Sequence, residues 1–166
     1  MKILVTYYSE SGNTKKLAQA IYDTIEEPGK EISPVQEVQS TDSYDLIFCG
    51  FPVQGSSVPG KMAKFLKNMP DGKKVAIFAT HGSLRKGQLA ITAFESAASM
   101  QPKAHILGTF GCRGKVKMEV IDALMKRPEH KAWAEEAQSA VTHPDKADLE
   151  DGQEFSRRMI TKARSE

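Results

Sequence analysis

Residues 2–25, "KILVTYYSESGNTKKLAQAIYDTI", change character twice within a short length of chain. Lys2 to Tyr7 form a short apolar run rich in β-branched residues, the composition a strand needs when it is buried on both faces. From Asn13 onward Leu17, Ala18, Ile21 and Ile25 recur at helical spacing, until Pro28 and Gly29 stop the segment. Between the two lies a polar turn with a glycine among hydroxyls and an amide. Strand, turn and helix in that order predict a parallel α/β architecture wherever the pattern repeats.

The pattern does repeat. Residues 44–51 "YDLIFCGF", 74–80 "KVAIFAT" and 104–110 "AHILGTF" read as further buried strands, with helical segments at 60–68 and 87–100 between them. Residues 31–38 "EISPVQEV" carry Pro34 and fit an edge strand, where a missing N–H is tolerated. The link from this strand to the next leaves room for about one helical turn. The expected fold is therefore α/β, with a parallel sheet and right-handed crossovers. After Gly114 the chain reads as helices over 117–126, 130–141 and a third from about 142, with Pro144 at its first position and Thr142 and Asp145 as a capping pair. A single domain over 1–166 is expected, with a sheet core at 1–114 and a helical extension at 115–166.

Composition narrows the function classes. At 166 residues, 27% charged and 40% hydrophobic, the chain is ordinary globular material for one core. A net charge of +2 predicts neither nucleic-acid nor membrane binding. No apolar run approaches the roughly 18 residues of a membrane span, and the N-terminus lacks the apolar length of a signal peptide, so a cytoplasmic location is expected. Cys49 and Cys112 stand in no close Cys or Cys/His pair, so neither a disulfide framework nor a metal site is expected.

The polar turn is the first candidate site. A helix N-terminus leaves N–H groups without partners and carries roughly half a positive charge, which suits an anion. Ser9, Glu10, Ser11, Gly12, Asn13 and Thr14 surround such a terminus with hydroxyls and an amide. Neither the P-loop pattern nor the GxGxxG dinucleotide pattern occurs, which argues against a nucleoside triphosphate or NAD. The same residues are also compatible with a capped helix that binds nothing.

"SESGNT" after a first strand resembles the FMN phosphate loop of the flavodoxins, whose pattern is hydroxyl, any, hydroxyl, Gly, any, Thr. "YDLIFCGFPVQGSSVPGKMAKFL" resembles that family's third strand, flavin loop and following helix, and "KKVAIFATHG" its fourth strand and second flavin loop. The resemblance covers residues 1 to about 114. It implies a three-layer, doubly wound five-stranded parallel sheet of order 2-1-3-4-5, here with extra C-terminal helices. It implies FMN held at its phosphate by Ser9, Glu10, Ser11, Gly12, Asn13 and Thr14. Pro52, Val53, Gln54, Gly55 and Ser56 would line one side of the ring, and Thr80, His81, Gly82 and Ser83 the other. His81 would either meet the flavin or stand exposed in its loop, and Gly55 would let the peptide beside the ring turn over on reduction.

The chain departs from many flavodoxins in two respects. Trp133, the sole tryptophan, lies far along the sequence from the flavin loops and fits helical core packing, leaving Phe51 as the aromatic beside them. The expected loop edge is basic, with Arg85, Lys86, Arg113 and Lys115 against Glu10. Such a rim favours the more negative, reduced flavin and acidic partner surfaces. The expected function is an FMN-binding electron carrier between redox partner proteins. The alternatives are an FMN-dependent oxidoreductase acting on a quinone or porphyrinogen, and a flavin-free binding module.

Overall fold

In the computed structural model, which describes residues 1–83 and 87–166, the expected strands assemble in the expected order. They are β1 (Lys2–Tyr7), β2 (Gly29–Pro34), β3 (Leu46–Pro52), β4 (Lys74–His81) and β5 (His105–Arg113). All pair in parallel, in the order β2-β1-β3-β4-β5. Pro34 ends the edge strand β2, where its lack of an N–H costs no ladder bond. A 3₁₀ turn at Val35–Glu37 provides the short crossover to β3.

Alternation along the strands divides the core between the sheet's faces. Ile3, Val5, Leu46, Phe48 and Phe78 turn toward α1 (Asn13–Thr24). Leu4, Ile47, Cys49, Phe51, Val75 and Ile77 turn toward α2 (Gly60–Lys67) and α3 (Gln88–Met100). Both faces being covered explains why the strands read as continuous apolar runs. Phe51, a candidate aromatic neighbour of the flavin in the sequence, is fully buried beneath the α2 face.

The C-terminal helices play unlike parts. α6 (Lys146–Ser165) lies beside α1 and belongs to the main core through Phe155, Met159, Ile160 and Ala163. The Phe155 ring stacks on Phe110 with centroids 5.5 Å apart and meets Phe48 edge-on at 6.2 Å. α4 (Met118–Met125) and α5 (Lys131–Gln138) instead form a small core of their own around Ile121, Ala134 and Ala137.

The start of α6 differs from the expected one. Asp145 is its N-cap, accepting from the Asp148 N–H at 3.0 Å while the Asp148 carboxylate accepts from the Asp145 N–H at 3.0 Å. A carboxylate at the cap satisfies a helix N–H and complements the dipole, so the helix begins after Asp145 and leaves Pro144 outside. No helix among the described residues is long and apolar enough to cross a membrane.

Because Phe155 is fully buried between sheet and helix, Phe155→Ala is expected to destabilise the fold by about 3–5 kcal/mol in urea unfolding. A loss below about 1 kcal/mol would mean that α6 is peripheral to the main core.

Candidate functional site

β1, β3 and β4 are neighbours in the sheet, so the loops at their C-terminal ends open at one edge. The first loop turns sharply at Gly12, whose φ of 92° is a left-handed conformation that a side chain would strain. Ser9 Oγ accepts from the Gly12 N–H at 3.2 Å and the Lys15 N–H at 3.3 Å. Gly12 has no side chain to cap α1, the first turn holds no acidic residue, and the Asn13 and Thr14 N–H groups meet no acceptor among the described residues. This leaves the helix terminus open to an anion.

The loops are tied together by polar contacts, one of them buried. Thr14 Oγ1 lies 2.8 Å from Thr80 Oγ1, both side chains being buried. Thr80 O accepts from the Val53 N–H at 2.8 Å. Asn13 Nδ2 donates to Lys115 O at 2.9 Å. Gln54 and Ser57 exchange backbone hydrogen bonds of 3.1 and 2.9 Å across Gly55 and Ser56, whose φ values are 53° and 63°. Positive φ at both central positions matches a type I′ turn, so this flavin-loop candidate is a tight hairpin.

His81 is buried, which removes the expectation of an exposed loop histidine. Its Nδ1 lies 3.0 Å from Ser83 O, so the imidazole is oriented by its own loop. Cys112 is fully buried in the main core, as a small strand-end residue would be.

These loops border a cavity of about 730 Å³, within the usual range for small-molecule sites. Glu10 and Ser11 line it, as do Pro52, Val53, Gln54, Gly55 and Ser56 from one loop and His81, Gly82 and Ser83 from another. Ser9 and Gly12 border a smaller hollow beside the α1 terminus. Asn13, Thr14 and Thr80 join the loops rather than line the cavity.

The opposite wall was not apparent from the sequence. Val120, Leu124 and Trp133 of the α4–α5 pair close the cavity together with Val116 from the loop before α4, with Lys115, Lys117 and His130 also lining it. Trp133 therefore belongs both to the small helical core and to the cavity wall. Its helical spacing signalled burial but could not say beside what, because the wall is made by a long-range return of the chain.

The charge of the rim also shifts. Arg113 donates from Nε to Ser83 O at 3.3 Å and from Nη2 to Glu136 O and Ser139 Oγ, each at 2.8 Å. Its guanidinium thus fastens α5 to the third loop instead of facing a ligand. Arg85 and Lys86, counted in the expected rim, lie outside the described residues. Among the described residues, Lys115 and Lys117 bring positive charge to the cavity. Glu10 accepts from Tyr8 Oη at 2.7 Å. That bond, aided by Gln54 and by the charges of Lys117 and Lys61, holds the carboxyl below its ordinary pKa.

A family model described as a flavodoxin domain matches residues 4–157. The flavodoxin-like domain-containing protein BilS of Clostridioides difficile (strain CD3) is 33% identical over 175 residues, covering 98% of both chains. Among solved structures, a flavodoxin from the domain Archaea superposes with a TM-score of 0.63 at 20% identity, covering 99% of each chain. A flavoprotein from Lactobacillus acidophilus in complex with FMN gives a TM-score of 0.54 at 22% identity, covering 66% of this chain and 92% of that one. Both structural likenesses concern the fold.

Tyr8→Phe removes the largest cause of the lowered Glu10 pKa, so the carboxyl should titrate closer to the ordinary glutamate value in an NMR pH series. A lowered folded pKa contributes stability that is present above the unfolded value and lost as pH falls through the folded one. The stability difference between wild type and Tyr8→Phe should accordingly shrink in acid. An unchanged Glu10 titration would contradict the assignment.

Proposed function

The chain belongs to the flavodoxin domain family, and we propose that it binds FMN and carries electrons between partner proteins in the cytoplasm. The observation that carries this reading is the open α1 terminus beside a cavity bordered by the loops after β1, β3 and β4. The residues fit the group. Asn13 and Thr14 offer backbone donors without a competing cap, and the hydroxyls of Ser9 and Ser11 flank them. The hairpin at Gln54–Ser57 and the loop at His81–Ser83 supply edges for a planar ring.

FMN, when bound, supplies electron transfer in steps of one or two. The protein's part is to hold, orient and shield it. Thr14 and Thr80 keep the phosphate end and the ring end in fixed relation through their buried hydroxyl contact. Lys115 and Lys117 bring positive charge to the cavity, which favours whichever oxidation state carries more negative charge. The same lysines would draw acidic partner surfaces, with an advantage that fades as salt rises.

The apolar side chains of Val116, Val120 and Leu124 favour a second reading, an oxidoreductase whose own small apolar substrate enters beside the flavin. Steady NAD(P)H-driven turnover of a quinone without added reductase would select it over the carrier.

Charge-assisted hydrogen bonds to a phosphate are worth about 1.5–3 kcal/mol, so FMN should bind at least about tenfold more tightly than riboflavin. Gly12→Val should erase most of that preference by straining the left-handed turn. Equal affinity for the two flavins in the wild type would overturn the phosphate assignment. In a redox titration of the FMN-loaded protein, replacing both Lys115 and Lys117 by Gln should move the couple to the reduced state to more negative potential. An unmoved couple would show that these charges do not reach the ring.

A further inference from the structure

We infer that Trp133, presented by α5 rather than by a strand-end loop, forms the aromatic wall against which the flavin ring lies. The inference rests on the FMN reading and adds to it a ring-binding residue outside the loops that carry the family resemblance.

Several independent observations converge on this residue. The described loop residues at 52–57 and 81–83 contain no Phe, Tyr or Trp, and Phe51 is sealed in the core. Trp133 is the Phe, Tyr or Trp among the described residues lining the cavity. It stands directly against the second flavin loop, since a Cβ built at Gly82 would lie 3.4 Å from Trp133 Cζ2 and 2.5 Å from Val116 Cγ2. Glycine at position 82 is what allows the loop and the α4–α5 wall to approach this closely.

What the residue presents to the cavity is its ring surface. Trp133 is half-buried, and its Nε1–H is shielded from water within the wall, so the ring meets a ligand with its surface and not with its donor. A flavin ring is a planar heteroaromatic with a matching face for offset stacking.

The wall is held in place before any ligand arrives. Arg113 bonds to Glu136 O and Ser139 Oγ on the α5 side and to Ser83 O on the loop side. Ala134 and Ala137 pack α5 onto Ile121 of α4. Arg113 is thus a positioning residue for Trp133, and the indole pays little ordering cost on binding.

Because Trp133 is the sole tryptophan, 5-fluorotryptophan labelling places one ¹⁹F signal at the wall. FMN should be added to the flavin-free full chain, with retention after ultrafiltration measuring binding independently of the indole. The expected result is a ring-current shift of the ¹⁹F signal that saturates with FMN retention. Trp133→Leu should weaken retention of both FMN and riboflavin by about tenfold, since an aromatic contact is lost and the phosphate site is untouched. Emission from the bound flavin, quenched by an indole in contact, should rise severalfold in the same variant. Should Trp133→Leu fail to fold, Trp133→Phe keeps the core filled and should still brighten the bound flavin. If FMN is retained but the ¹⁹F signal stays in place, the inference is overturned while the FMN reading stands. If the wild type retains no FMN, both fall.

Discussion

Thr80 is the point on which the geometry of the site depends. It sits near the end of β4, its hydroxyl 2.8 Å from that of Thr14 at the start of α1, and its carbonyl accepts from the N–H of Val53 beyond β3. One buried residue therefore joins the loops that follow β1, β3 and β4. The arrangement is possible because a parallel sheet sends every strand's C-terminal end to the same edge. It needs neighbouring strands whose crossovers lie on opposite faces, as α1 and α2 do here, so that a crevice opens between the loops. Once the sheet is covered on both faces, burial makes these polar contacts strong and costly to break.

The α4–α5 pair changes what that crevice is. Inserted between β5 and α6, it builds a small core of its own and is then fastened to the site by hydrogen bonds. Asn13 reaches Lys115 O from the first loop, the Lys115 N–H reaches His143 O, and Arg113 spans from Ser83 to α5. The insertion supplies apolar surface together with Lys115 and Lys117, so enclosure and positive charge arrive on one segment. An electron carrier built this way would combine a partly covered cofactor with a rim attractive to acidic surfaces.

Much of the fold was legible because it follows from local rules. A buried parallel strand must be apolar throughout, a crossover helix must show a stripe, and an edge strand can tolerate Pro34. The loop candidates were legible for a related reason: Gly12 and Gly55 mark backbone that other residues adopt only under strain. The beginning of α6 was less legible, because Thr142, Asp145 and Pro144 all carry start signals and only the carboxylate–N–H geometry of Asp145 and Asp148 selects among them.

Taken alone, the amino-acid sequence determined the strand order's raw material, the polar turn before α1 and the glycine-bearing loops, since each depends on residues close together in the chain. Tertiary structure decided which way the long-range residues face. Arg113 reads as a rim cation but spends its guanidinium on carbonyls, and Phe51 reads as a flavin neighbour but is sealed beneath α2. Trp133 reads as core and is also a wall of the cavity. The physical reason is that periodicity specifies that a side chain is buried, whereas its neighbours are set by how distant segments pack, and that packing is written in no single stretch of the chain.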